Sequence, residues 1–399
     1  MSDSAGAERD PATEIARAIE IDSLDDPRVA GYRDVRDREL RGRDGLFVVE
    51  SLRCVERLLA SRFEIESLLV APRRLAALAQ RIVLSRAGRN LGSSLERGGR
   101  RVPRFEGPVY VAEETLLSSI AGYRIHGGAL ALARRPRRTA LSFEPWAAAL
   151  GLFGAVDAEA AAEAGSAGTA EAAHATEATE SRGDASVRSP SAPRTLIALA
   201  GVTQMDNVGS IFRSAAGLGV EGILLDERCC DPLLRKPIRV AMGHSLTLPF
   251  AWSRDLPSDL ARLRAGSLAP RESCDGVGAG VGERRSERGW RVVALEEGAN
   301  AGAIPGVSPG AIPGAIPGAS RVAVTHLSAL APDERMVLVA GNEGHGLDRA
   351  VIDVCDDIVE IPMAEGVPSL NVAVAVAIGC WERRRLRALR SPSGRAGER

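Results

Sequence analysis

Three short stretches combine residue types that can do chemistry. The first is Asn207-x-Gly209-x-x-x-Arg213: an amide at a helix start, a small residue beside it, and a guanidinium about two turns on. Helix N-termini attract anions, and arginine is the natural fork for phosphate. A plain capped helix with a solvated arginine has the same text. The second is Gly341-Asn342-Glu343-Gly344-x-Gly346-Leu347, which follows an apolar run. Glycines there let a ligand approach the backbone, and Glu343 is either part of a site or a surface carboxylate. The spacing is not G-x-G-x-x-G, and no acidic residue ends a following strand in the right place, which argues against a nucleotide-dependent oxidoreductase. The third is Ile361-Pro362-Met363 followed by Ser369-Leu370-Asn371-Val372. Ser369 reads as the N-cap of a long helix. Asn371, between Leu and Val, reads as a buried amide in the first turn, which needs hydrogen-bond partners.

The elements that must position these residues follow from hydrophobic periodicity. In the C-terminal half, short apolar runs at 196–200, 222–225, 246–250, 291–295, 337–340 and 358–361 read as strands. Helices are expected over 210–218, 235–242 and 370–389, the first capped by Asp206 or Asn207 and stopped by Gly219. This predicts an α/β sheet of five or six mainly parallel strands. The helix at 370–389 starts apolar on nearly every side, so it must be buried against its own sheet or a partner chain. In the N-terminal half, a charged helix at 22–40 precedes strands at 46–50, 65–70, 109–111 and 129–133, which alternate with helices at 52–61, 75–87 and 113–120. That pattern predicts a small α/β domain. The resulting division is a disordered tail at 1–20, a first domain at 21–138, a largely disordered linker at 139–194, a second domain at 195–390 and a basic tail at 391–399. Low-complexity text fills 155–194, and insertions interrupt the second domain near 263–288 and 300–320, the latter carrying GAIPG repeats at 302–319. These stretches are too poor in large apolar residues, or too rich in Pro and Gly, to build a core.

The 399 residues suffice for two or three domains. Net charge is −1, but it is unevenly spread. Residues 21–150 carry 23 Arg against 16 Asp plus Glu, and 383–399 carry seven Arg against one Glu. Basic ends suit a polyanion such as nucleic acid; an Arg- and Ala-rich genome leaves the same trace. The six Cys form no CxxC pair and no metal clip, which suggests a reduced, cytoplasmic protein without a metal. The N-terminus has no apolar signal region, and no run reaches a membrane span.

Taken together and in order, the three stretches resemble the motifs of the SpoU (TrmH) branch of the SPOUT RNA methyltransferases, over about 195–390 apart from the insertions. Phe47-Val48-Val49-Glu50, Val55-Glu56-Arg57-Leu58-Leu59 and Ile125-His126-Gly127-Gly128-Ala129-Leu130-Ala131 resemble the RNA substrate-binding domain of many members, a fold shared with a ribosomal RNA-binding protein. The resemblance implies a C-terminal SPOUT α/β domain with a deep trefoil knot, a homodimer, and S-adenosylmethionine as cofactor. It also implies methyl transfer to a ribose 2′-hydroxyl of RNA, with rRNA favoured over tRNA. It places Gly341, Ile361 and Leu370, then Ala340 and Met363, around the cofactor. It places Arg213, Asn207, Glu343, Ser369 and Asn371 in the catalytic machinery. An arginine is too weak a base to take the hydroxyl proton, so Arg213 is expected to grip a phosphate and steady the developing alkoxide. The alternatives are a non-catalytic RNA-binding or assembly factor that keeps the fold, and a base methyltransferase.

Overall fold

The computed structural model describes residues 10–33, 45–88, 103–125, 127–153, 194–267, 289–296, 323–327, 335–364, 367 and 369–390. The expected linker text at 155–193, the repeats at 302–319, most of the 263–288 insertion and the tail at 391–399 lie outside the described residues. The chain forms two compact units. The first joins the described residues up to Arg137 with 208–213 and 231–249; the second holds the rest.

The first unit begins with α1 (Pro11–Ala16), β1 (Ile19–Glu20) and a 3-10 helix at Pro27–Tyr32. Then come β2 (Leu46–Glu50), α2 (Leu52–Leu59), β3 (Ile65–Val70), α3 (Pro72–Arg86), β4 (Val109–Val111), α4 (Glu114–Ala121) and β5 (Ala129–Arg134). The strands form one sheet in the order β1-β4-β3-β5-β2, antiparallel at β5 and parallel elsewhere. One face buries Val48, Leu69, Leu130 and Leu132 against Tyr32, Leu117 and Ile120. Two expectations fail here. Residues 10–20 are not a frayed tail: α1 packs on α3, and Glu14, 2% exposed, pairs with Arg86 at 2.9 Å. The charged helix at 22–40 is one short 3-10 segment up to Tyr32, started by Pro27, and 34–44 lies outside the described residues.

The second unit opens with a 3-10 helix at Arg138–Leu141 and α5 (Phe143–Ala149), followed by β6 (Thr195–Leu199), α6 (Met205–Leu218) and β7 (Gly222–Asp226). Two short helices, α7 (Arg235–Val240) and α8 (His244–Thr247), group with the first unit. The chain continues through β8 (Phe250–Ser253), α9 (Leu256–Ala265), β9 (Arg291–Leu295), β10 (Ala323–His326), β11 (Met336–Ala340), α10 (Arg349–Ile352), β12 (Asp357–Glu360) and α11 (Val372–Arg390). Seven strands pair in the order β10-β12-β9-β11-β6-β7-β8, and every pair is parallel. Continuous apolar runs make this possible, because both faces of a parallel sheet are covered. Val337, Leu338 and Val339 have no exposed surface, and Met336 has none either.

Several boundaries differ from the sequence reading. The segment at 139–153 is not linker: Phe143, Trp146, Ala147 and Leu152 are buried in the second core. Arg194 locks this segment in place by donating to the carbonyls of Leu150 and Gly151 while pairing with Glu221. The run at 246–250 is not a strand. Residues 244–247 form the helical turn α8, and Pro249 has no N–H to give a ladder, so the strand starts only at Phe250. Residue 263 is not insertion either, since Leu263 is fully buried on α9. Strand β10 has no counterpart in the sequence reading. Among the described residues no helix is long and apolar enough to cross a membrane.

Candidate functional site

Parallel sheets tend to bind ligands outside the carboxyl ends of their strands. Here the ends of β9, β11 and β12, the start of α6 and the start of α11 enclose a cavity of about 390 Å³. Nine of the ten residues singled out in the sequence line it: Asn207, Ala340, Gly341, Glu343, Ile361, Met363, Ser369, Leu370 and Asn371. The tenth, Arg213, does not. It is exposed on α6, six residues after Asn207. At 100° per residue it shares a face with Gly209 rather than with Asn207.

Side-chain hydrogen bonds tie the three motifs together. Asn371 Nδ2 donates to Asn207 Oδ1 at 2.8 Å, and Asn207 Nδ2 donates to Glu343 Oε1 at 2.7 Å. Asn207 is 5% exposed, so its amide needs these partners. It does not cap α6 as expected. That helix starts earlier, after Gln204, and neither Gln204 nor any other side chain caps it by a hydrogen bond at the N-cap position. Asn371 is the residue that caps α11. Its Oδ1 accepts from Ala373 N–H at 2.9 Å, and its carbonyl accepts from Val374 and Ala375. It is exposed rather than buried, and Ser369 lies upstream of the cap.

The glycine loop after β11 is closed on itself. Asn342 and Gly346 exchange both backbone hydrogen bonds, at 3.1 and 3.0 Å. Asn342 Oδ1 also accepts from Gly344 N–H, and its Nδ2 donates to the Gly201 carbonyl at 2.7 Å. Gly341 is needed for this closure: a Cβ there would sit 2.4 Å from the Gly346 carbonyl carbon and oxygen. Behind Gly201 the buried Asp226 carboxylate accepts from the N–H groups of Gly201, Arg228 and Cys229, at 2.9 to 3.0 Å. Arg228 bridges Asp226 to Asp348, and these carboxylates hold its guanidinium above its ordinary range. Burial, then the Asp226 charge, pushes the Cys229 thiol up, so it is no nucleophile.

Among the described residues the lining has apolar walls from Leu295, Val359, Ile361 and Leu370, three carboxylates from Glu296, Glu343 and Glu360, and no Lys, Arg or His. Such a cavity suits a partly apolar ligand with positive charge. Sequence reasoning missed Gln204, Glu296, Asn342 and Glu360. Glu296 and Glu360 each sit at the carboxyl end of a strand. Glu360 ends the strand that follows the glycine loop, where the sequence reading expected no acidic residue, so only the missing G-x-G-x-x-G spacing speaks against a dinucleotide fingerprint.

Gly209, the small residue of the first motif, is explained by packing. A Cβ there would lie 2.7 Å from Val240 Cβ and 2.9 Å from the Pro237 carbonyl.

Comparison with known proteins places this site in context. Residues 194–269 and 312–381 match the model of the SpoU rRNA Methylase family. A Mycobacterium bovis protein described as an uncharacterized tRNA/rRNA methyltransferase is 29% identical over 365 residues, 90% of each chain. An AdoMet-bound rRNA methyltransferase from Sinorhizobium meliloti superposes with a TM-score of 0.56 at 18% identity, covering 92% of this chain and 98% of that one. An RNA 2′-O ribose methyltransferase superposes with a TM-score of 0.51 at 18% identity, covering 93% and 100%. At these identities the structural likeness is one of fold. The motif residues 207–213 and 340–372 all fall inside the two matched spans.

Proposed function

We propose that this chain, whose residues 194–269 and 312–381 match the SpoU rRNA Methylase family model, transfers a methyl group from S-adenosylmethionine to a ribose 2′-hydroxyl of structured RNA. One observation carries the reading. Asn207, Glu343 and Asn371, far apart in sequence, are hydrogen-bonded in series on one cavity at the carboxyl ends of parallel strands.

The cavity fits the cofactor on two counts. Its volume lies in the range of small-molecule pockets. Its described lining joins apolar walls for a purine to three carboxylates without a basic residue, which favours a ligand bearing sulfonium and ammonium charges. Ala340, Gly341, Ile361, Met363 and Leu370 would hold it through main-chain groups and apolar surface. When bound, S-adenosylmethionine supplies an electrophilic methyl group. The chain's own residues then do the positioning. Asn207 fixes Glu343 and the N-terminus of α11, and Ser369 contacts RNA. Arg213 grips a phosphate and steadies the ribose oxygen as its proton leaves to phosphate or water.

RNA is supported by the family and by the arginine-rich N-terminal text, and rRNA is favoured over tRNA by the family description. We read the first unit as the RNA substrate-binding domain. The exposed Val374 and Trp381, seven residues apart on one face of α11, favour a homodimer. The trefoil threading of α11 belongs to the same reading.

The test is calorimetry with S-adenosylmethionine together with methyl transfer by the Arg213→Ala variant. We expect cofactor binding in both proteins and transfer reduced at least about 100-fold in the variant, as for loss of one transition-state contact. Robust transfer by the variant removes the role of Arg213. No binding by the wild type leaves a non-catalytic RNA-binding factor as the better reading.

A further inference from the structure

The first unit holds a second cavity, of about 270 Å³, lined by Ser51, Arg53, Arg74, Gly127, Arg239 and Met242 with the start of α2. Its side chains come from three separate parts of the chain. Among the described lining residues three are arginines and none is acidic. The Nε of Arg74 is shielded from solvent and has no hydrogen-bond partner. Arg53 and Arg239 are exposed. A solvent-shielded guanidinium N–H without a partner costs stability unless something accepts from it.

The backbone around this cavity is unusual in the same place. Among the described residues two non-glycine residues have positive φ, Ser51 at 85° and Met242 at 52°, and both line the cavity. Ser51, with ψ at 148°, occupies a region that is essentially reserved for glycine. It is held there by packing: a Cβ on Gly127 would lie 2.7 Å from Ser51 Cα. Met242 is held by Arg57, which donates to its carbonyl. Strain of this kind persists where the surroundings over-determine it, and it gathers at ligand sites. Ser51 also stands at the N-cap of α2 without making a side-chain cap, and the first residues of that helix, Leu52, Arg53 and Cys54, line the cavity.

Two neighbouring groups of this unit are shifted by burial and by the arginines near them. Burial, with Arg53 and Arg213 acting in the same direction, lowers the Arg57 guanidinium below its ordinary range. His244 is lowered to about 4 by burial, Arg57 and Arg213, so it adds no charge at neutral pH.

We propose that the Arg53–Arg74–Arg239 cavity is a phosphate subsite that grips the RNA backbone. It rests on the RNA-modifying reading above and extends it to a contact on the first unit. The ligand chemistry is a phosphodiester accepting from guanidinium and backbone N–H donors. It is sequence-independent, so it sets affinity and register rather than base choice.

The test uses the full chain and a fluorescein-labelled RNA stem-loop, with binding followed by anisotropy across a salt series. Arg74→Gln and, separately, the exposed Arg53→Ala are compared with wild type. Each should weaken binding several-fold and lower the slope of log affinity against log salt by about 1. Calorimetric affinity for S-adenosylmethionine should be unchanged in both. Inorganic phosphate, compared with chloride at equal ionic strength, should displace the RNA from wild type and lose that advantage in Arg74→Gln. An unchanged slope in both folded variants overturns the proposal. So does a phosphate effect on thermal stability that leaves RNA binding untouched, which marks a free-anion site. If the slopes fall but the wild type methylates no RNA, the subsite stands and the catalytic reading fails.

Discussion

Replacing Gly341 by Ala tests how the cofactor wall is built. The added Cβ would sit 2.4 Å from the Gly346 carbonyl atoms and 2.8 Å from Leu347 N. Ordinary carbon contacts lie near 3.5 Å or more, so the loop has to retreat by about 1 Å. The obstacle is backbone, which cannot swing aside as a side chain would. The retreat strains the paired Asn342–Gly346 hydrogen bonds, at 3.1 and 3.0 Å, each worth about 1 kcal/mol net. A loss of about 2 kcal/mol, in line with overpacking, lowers S-adenosylmethionine affinity about 30-fold. It also lowers Tm by about 4–8 °C. Gly344→Ala in the same loop is the control: its Cβ would meet Asn342 Oδ1 at 3.5 Å, an ordinary contact. Calorimetry and thermal melts on both variants decide the matter. Wild-type affinity in Gly341→Ala, or equal damage in Gly344→Ala, refutes the close-approach argument.

Further predictions address the relay, the pH response and the unit boundary. Asn371→Ala removes the cap of α11 and the partner of Asn207; a stability loss of about 1–2 kcal/mol by denaturant titration is expected, and none at all would mean the relay is idle. Asp259 is raised to about 6, chiefly by burial, with Ser253 and Arg262 pulling the other way. Its folded pKa lies above the unfolded value of 3.8, so the folded state binds the extra proton and stability falls as pH rises from about 4 to 6. Asp259→Asn should flatten that slope in urea melts, and an identical pH profile in the variant would contradict the assignment. Trp146→Ala should cost about 3–5 kcal/mol, because the ring is buried in the second core. Melting unchanged by that substitution would return 139–153 to the linker.

Much of the second unit was legible because its strands are continuous apolar runs bounded by glycine or polar turns. Runs such as 337–340 and 291–295 admit few other readings. Gly341 was legible as a required glycine, but the reason differs: the crowding atoms belong to Gly346, a loop closure that spacing alone does not reveal. Asn371 looked like a buried amide and is an exposed cap, because α11 starts two residues later than its apolar text. Phe143 and Trp146 were lost in an Ala-rich stretch, and only the core they fill gives them meaning. Glu296 carried no motif at all. Its place on the cavity depends on β9 lying between β11 and β12, an order set by long-range pairing.

The central claim is methyl transfer to a ribose hydroxyl. The most direct measurement incubates the full chain with methyl-labelled S-adenosylmethionine and ribosomal RNA, then digests the RNA and identifies the labelled nucleoside by mass spectrometry. The account predicts label in a 2′-O-methylated nucleoside. Label on a base, or unlabelled RNA from a protein that binds the cofactor, would contradict it.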